Sequence, residues 1–335
     1  MSLSESFYKL TTDRVLDSVE AALSKVKPNI RATGRIMALN SLENRVYEIE
    51  LEDNSFVVTK FYRPGRWSEA QLGEEHEFLK KLKTAEIPVV APLELAESKF
   101  SKLSKVTTLA QSPDNIWFAV FPKVRGRLLD ELSTTQIETL GRYLGRIHNI
   151  GRTWPARHRL KLSTEKWGRE SLKFILDSKF IDPQTRSHYQ NLTEDFLNRC
   201  EPLLKNVKAQ VVHGDCHLGN TLWEGEAPFF LDFDDMMIAP PVQDVWMILR
   251  GRDEESLRQR NILLSTYEQM NEFDYTSLNL IEPLRGLRII HYSAWIARRW
   301  EDPAFANVFA NFGTPSYWRS EMEALQEISQ LIVAN

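Results

Sequence analysis

The sequence predicts an α+β protein in two lobes, a small one built on an antiparallel sheet with one key helix and a larger one that is mainly helical. Three observations carry this expectation. Short β-branched and aromatic runs crowd the first 122 residues. Long apolar patterns of helical period fill most of the chain beyond residue 128. Two short apolar runs, within VVHGDCHLGNTLW and FFLDFDD, interrupt those helices with carboxylates and an amide.

Residues 33–40, 45–52 and 55–62 read as strands, separated by polar turn groups such as Glu52-Asp53-Asn54-Ser55. Residues 68–85 read as the key helix. Ser68 and Gln71 fit a capping box, and Leu72, Leu79 and Leu82 mark an apolar stripe. Ile87-Pro88-Val89-Val90-Ala91-Pro92 ends that helix and starts extended chain. IWFAVF, residues 116–121, is a buried strand, so the first third is strands plus one helix. The small lobe is placed at 1–122, a hinge at 123–127 around Gly126, and the helical lobe at 128–335. Within the larger lobe, helix 135–149 turns Ile137, Leu140, Leu144 and Ile147 inward. Further helices are expected near 166–178, 184–204, 253–270, 281–300 and 315–333, with a hairpin over 211–235. A ligand belongs in the cleft between the lobes.

The 42% hydrophobic and 26% charged composition fits a globular protein with a full core. A net charge of −4 gives no general drive towards nucleic acid or anionic membrane. Two cysteines, Cys200 and Cys216, are too few for a disulfide framework. MSLSESFYKL lacks the basic and apolar regions of a signal peptide, and no apolar run approaches a membrane span. A cytoplasmic monomer is expected, with neither nucleic acid nor membrane as partner.

The chemistry-bearing residues follow a definite order. Lys60 in FVVTKFY shares a strand face with Phe56, Val58 and Tyr62, where an unpaired ammonium is costly. Glu75 lies on the apolar stripe of the next helix, so a Lys60–Glu75 pair is expected, holding the lysine against nucleotide phosphates. Glu74 is the rival partner, though Glu74 and Glu77 read as solvated charges. Between the first two strands, Ser41 and Asn44 occupy the place of a phosphate-covering loop without its glycines. Asp215 follows a turn at Gly214 and is the candidate base for a substrate hydroxyl. Asn220 and Asp232 supply hard oxygens for the Mg2+ of a nucleotide, with Asp232 the main carboxylate. Asp234 and Asp235 are unassigned loop acids, Asp234 being the one able to assist the metal.

Several of the remaining residues admit two readings. His213-x-Asp215-x-His217 also suits zinc, but ligand count favours a structural His213 bonded to the loop backbone. Cys216 reads as a small buried residue. Asp244 opens the helix VWMIL as a near-cap acid, or braces the loop below. Gly141, Gly145 and His148 form a small-residue groove for close packing. Arg285, Arg288, Arg298, Arg299, His291 and Tyr292 form either a solvated basic face or an acceptor-substrate wall.

HGDCHLGN and FLDFDD resemble the catalytic loop and metal-binding segment of the aminoglycoside-phosphotransferase and choline-kinase-like superfamily. That resemblance implies a protein-kinase fold. NSLENRVYEIE, VVTKFYRPGRW, LGRYLGRIH, PPVQDVWMIL and LIEPLRGLRIIHYSAWIARRWEDPAF more narrowly resemble bacterial serine/threonine kinases of the stress response. The resemblance implies Asp215 as proton acceptor, Asn220 and Asp232 as magnesium ligands, Lys60 on phosphate and Ser41 on ATP. It also implies a serine or threonine of a protein as acceptor. The chain departs from ordinary protein kinases in lacking a glycine-rich loop and a DFG…APE segment. A kinase of small-molecule hydroxyls and a nucleotide-binding scaffold without turnover are the rivals.

Overall fold

The computed structural model describes residues 3–205 and 207–333. Two short helices come first, α1 (Leu3–Tyr8) and α2 (Thr12–Leu23). They add to the strands-plus-one-helix expectation for the first third. Thr11 caps α2, and Val15, Val19, Ala22 and Leu23 form its buried stripe. The three predicted strands are β1 (Ala32–Ala38), β2 (Arg45–Leu51) and β3 (Phe56–Phe61). Helix α3 (Glu69–Thr84) begins at the predicted Ser68–Gln71 capping box. Strands β4 (Lys102–Leu103), β5 (Ala110–Gln111) and β6 (Trp117–Pro122) complete a six-stranded antiparallel sheet ordered β1-β2-β3-β6-β5-β4.

Strand alternation decides what covers each face of that sheet. Val57 and Phe61 pack with Phe7, Val15 and Val19 under α1 and α2. On the other face, Tyr62 and Phe121 pack with Leu72 of α3, with Val58 against them. Lys60 shares that second face. The far side of α3, through Phe78, Leu79 and Leu82, joins the core of the helical part.

The chain then forms α4 (Thr134–Thr153), a π-helical turn at Thr164–Arg169, α5 (Glu170–Asp177) and α6 (Pro183–Lys205). After β7 (Gln210–Val212) come β8 (Thr221–Glu224), β9 (Ala227–Phe230) and β10 (Met237–Ala239). The remaining helices are α7 (Val242–Ile248), α8 (Glu254–Tyr267), α9 (Ile281–Arg298), α10 (Pro303–Val308) and α11 (Pro315–Val333). Gly141 and Gly145 let α4 press on α8. A methyl at either would lie 2.3 Å from the Leu263 carbonyl oxygen or 2.7 Å from that of Tyr267.

The single hairpin expected over 211–235 is two ladders. β7 pairs with β10, whereas β8 pairs with β9. A tight β8–β9 turn satisfies those two strands locally, which leaves β7 to find its backbone partners beyond the second acidic cluster. Consequently both acidic turns leave the same small region.

Candidate active site

The β7–β10 ladder places residues 213–220 beside residues 231–235. Gly214 adopts φ +86°, and a Cβ there would lie 2.1 Å from the Asp235 carbonyl oxygen, so glycine is required. His213 is buried and its Nε2 lies 2.7 Å from the Leu231 carbonyl oxygen. The Leu231 N–H donates to the Asn220 carbonyl at 2.9 Å, which sets Asn220 next to Asp232. Asp232 itself holds φ 55°, ψ 67°. A left-handed non-glycine residue costs about 1–3 kcal/mol and persists only where its surroundings impose it.

Asp244, in the first turn of α7, underpins this region, as one of its two sequence readings had it. Its carboxylate is fully buried. It accepts the backbone N–H of His213 at 2.8 Å and of Gly214 at 2.8 Å, and His148 Nε2 at 2.9 Å. A carboxylate only accepts, so His148 carries a proton on Nε2, while its Nδ1 lies 3.0 Å from the Tyr267 hydroxyl.

Asp215 faces the cleft. His217 Nε2 stands 3.4 Å from one of its oxygens and Arg288 2.8 Å from the other. The Arg288 contact is an ion pair rather than a well-directed hydrogen bond. Burial pushes the Asp215 carboxyl up, but His217 and Arg288 outweigh it and hold it below the usual carboxylate range. Asn220 donates its amide N–H to the Asp215 carbonyl at 2.9 Å, which leaves its side-chain oxygen available.

Lys60 does not pair with Glu75. Its ammonium lies 2.8 Å from Asp232 Oδ1 and 2.7 Å from Asp234 Oδ1. The left-handed backbone at Asp232 accompanies the placing of both acids within contact of the lysine. Burial works against the charged lysine, but Asp232 and Asp234 raise its pKa well above the ordinary value. Glu75 remains buried behind them, its Oε2 without a hydrogen-bond partner among the described residues. Burial, reinforced by Asp234, pushes this carboxyl up to about 8 against the pull of Lys60 and Arg159. Glu74 is neither a surface charge nor a rival for Lys60. It is buried and accepts the backbone N–H groups of Arg157, His158 and Arg159 at 2.7, 2.8 and 3.2 Å. Glu77 is exposed, as expected.

Asn44 also departs from expectation. Rather than facing a phosphate, it is buried, donates to Asp234 Oδ2 at 2.6 Å and accepts the Arg63 N–H at 3.2 Å. Asp234 thereby becomes a bridge between Asn44 and Lys60. Ser41 stays on the cleft wall, its Oγ accepting the Asn44 N–H at 3.3 Å. The same loop is tied to the helical part through Glu43, which meets Arg299 at 2.6 Å and the Trp295 indole N–H at 2.6 Å, and within its own part it meets Arg66 at 3.2 Å. Arg63 adds a 2.8 Å contact to Asp302.

Ser41, Lys60, Glu75, Asp215, Asn220 and Asp232 therefore line one cleft of about 1260 Å³. The oxygens of Asn220 and Asp232 suit Mg2+, which keeps waters and phosphate oxygens and needs only one or two protein groups. Zinc fits poorly. His213 is engaged by a carbonyl, and the described residues contain no group of three His, Cys, Asp or Glu able to hold a metal. Cys216 is buried, with its thiol pKa raised by burial. No described helix is long and apolar enough to cross a membrane. Sequence reasoning missed Arg159, which spans the Gln71, Phe233, Asp234 and Met236 carbonyls behind the site. Its loop, WPARHRL, carries no periodic signal.

A sequence profile of the family described as Phosphotransferase enzyme family matches residues 35–281. Stress response kinase A of Escherichia coli (strain K12) is 34% identical over 328 residues, 98% of this chain and 95% of that protein. Serine/threonine protein kinase RdoA of Salmonella typhimurium (strain LT2) is likewise 34% identical, with the same coverage of both chains. Among solved structures, amicoumacin kinase hAmiN in complex with AMP-PNP, Ca2+ and Ami superposes with a TM-score of 0.69 at 19% identity, covering 89% of each chain. The spectinomycin phosphotransferase in complex with ADP and spectinomycin gives 0.61 at 16%, covering 96% of this chain and 97% of that one. These likenesses show the bilobal α+β fold. The chain belongs to the phosphotransferase enzyme family and is, within it, a homologue of stress response kinase A.

Proposed function

We propose that this phosphotransferase moves the γ-phosphoryl group of ATP to a serine or threonine hydroxyl of a protein, in the response to oxidative or envelope stress. The observation that carries the mechanism is Lys60, on the small sheet, lying 2.8 Å from Asp232 while Asp232 adjoins the Asp215–Asn220 loop. Residues 1–122 would carry the nucleotide, residues 123–127 would hinge, and residues 128–335 would supply the acceptor side. Ser41 and Lys60 contact the phosphates in this reading, and Glu75 backs the lysine from behind. Asn220 and Asp232 would hold Mg2+, which supplies charge neutralisation on the phosphates when bound. Asp215 orients the acceptor hydroxyl and takes its proton. Catalysis of this kind is mostly positioning and electrostatic stabilisation. The protein acceptor is supported by the 34% identity to kinases of that kind.

The test is transfer from labelled ATP to cell-extract proteins, native chain against Asp215→Ala. Labelled phosphoserine or phosphothreonine that disappears in the variant, with nucleotide binding retained, supports the reading. Undiminished turnover in Asp215→Ala removes Asp215 from its role. Turnover of a small hydroxyl compound far above any protein reassigns the acceptor.

A further inference from the structure

Three arginines converge on the acceptor wall of the cleft. Arg288 of α9 sets its guanidinium 2.8 Å from Asp215 Oδ1. Arg285, three residues earlier and therefore on the same helix face, donates to the Arg250 carbonyl at 2.8 Å and lies over the Trp246 ring at 5.3 Å. Its acid, Glu282, at 3.3 Å, is already engaged by Arg252 at 2.6 Å. Arg250 is exposed, its side chain bonded to the Met247 carbonyl at 3.2 Å. Although the residue reaches solvent, partial enclosure of its guanidinium, then Arg288 and Arg285, lower its pKa, and the acid acting the other way is Asp215.

The local balance is thus three guanidiniums against Asp215 and a shared Glu282. A cationic acceptor would add to that excess, whereas an anionic one would cancel it. The stacked rings of Tyr292 and Trp295, 5.2 Å apart, continue the wall and leave its charge to the arginines. We infer that the acceptor carries an anionic group, carboxylate or phosphate, beside the hydroxyl that is phosphorylated, and that Arg250, Arg285 and Arg288 bind it. In a protein acceptor this is an acidic or already phosphorylated residue flanking the serine or threonine, so the inference rests on the function proposed above. Arg288 links recognition to chemistry as a positioning residue. It covers Asp215 in this structure. An acceptor anion competes for the guanidinium and leaves Asp215 free for the hydroxyl proton.

The experiment uses the full chain with ATP and Mg2+ on matched peptides, each with one serine flanked by glutamate, phosphoserine, neutral residues or arginine. Acidic peptides should exceed neutral ones by about tenfold in kcat/KM, mainly through KM, the scale of one charge-assisted contact. Arg250→Ala should bring that ratio towards one, and Arg250→Glu should shift preference to the arginine-flanked peptide. Equal kcat/KM on all peptides overturns the inference. So does a uniform loss on every peptide in the arginine variants, which would place these side chains on the transferred phosphoryl group or on folding. If neither peptides nor extract proteins are labelled, the protein-acceptor reading fails. The anion is then decided on free glycerate and glycerol 3-phosphate against uncharged glycerol, where preference for the anions supports it and no preference overturns it.

Discussion

Replacing Asp244 with alanine removes the group from which the turn His213-Gly214-Asp215 is suspended. Two backbone N–H groups and the His148 Nε2–H, at 2.8, 2.8 and 2.9 Å, then have no acceptor in a site sealed from water. Hydrogen bonds to a charged acceptor contribute roughly 1.5–3 kcal/mol each, so three of them set an upper range of about 5–9 kcal/mol. Removing the carboxylate also removes its own desolvation cost. Leaving a buried donor unsatisfied costs about 1–3 kcal/mol, so with three orphaned donors and the carboxylate's own desolvation relieved, about 4 kcal/mol is expected for Asp244→Ala. Asp244→Asn should cost about half as much, because its NH2 must face one backbone N–H while its oxygen still serves the others. Any shift of Gly214 carries Asp215 with it, and a displacement of about 1 Å reduces turnover on the order of 100-fold. Urea unfolding followed by circular dichroism measures the first effect. Steady-state phosphoryl transfer at saturating ATP, below the variant's unfolding midpoint, measures the second. A loss under about 1 kcal/mol, typical of a peripheral substitution, would refute the bracing role. So would wild-type turnover in Asp244→Ala.

Gly151→Ala places a methyl 2.1 Å from the Val211 carbonyl oxygen, which drives α4 away from β7. A loss of about 1–3 kcal/mol in urea unfolding is expected from such overpacking, and an unchanged midpoint would contradict the close approach. Outside the cleft lining, Glu321 is buried among Tyr189, Ser293 and Tyr317. Burial raises its carboxyl from 4.5 to about 7 against the hydrogen bonds from those hydroxyls. Between these values the folded chain keeps a proton that the unfolded chain has released. Stability therefore declines as pH rises from 4.5 to about 7 and then levels, a total of about 3 kcal/mol from this group. Glu321→Gln should flatten that decline in thermal melts across the same range. An identical pH profile in the variant would discard the assignment.

Much of this architecture was legible because its causes are local. The Ser68–Gln71 capping box, the alternation in FVVTKFY and the helical period of 135–149 each depend on neighbours within a turn or a strand. The order Lys60, Asp215, Asn220, Asp232 was readable too, and the four side chains do line one cleft. The partners of those residues were less accessible. Helix α3 is buried over most of its circumference, including Leu72, Glu74, Glu75, Phe78 and Leu79, so periodicity alone could not separate the inward roles of adjacent glutamates. Asn44 read as a phosphate contact because position in a loop says nothing about which way an amide turns.

What the sequence by itself determined is the strand-rich first part with its capped helix, the long helices that follow, and the chemical kind of the site, carboxylates and an amide suited to phosphoryl transfer beside a lysine. Tertiary structure decided which charges meet. Lys60 bonds Asp232 and Asp234, 172 and 174 residues away, and Arg288 covers Asp215 from a different helix. Those pairings depend on β7 choosing β10 over β9 and on a left-handed backbone at Asp232. Both arise from satisfying buried polar groups across the whole fold, a condition that no short stretch of chain contains.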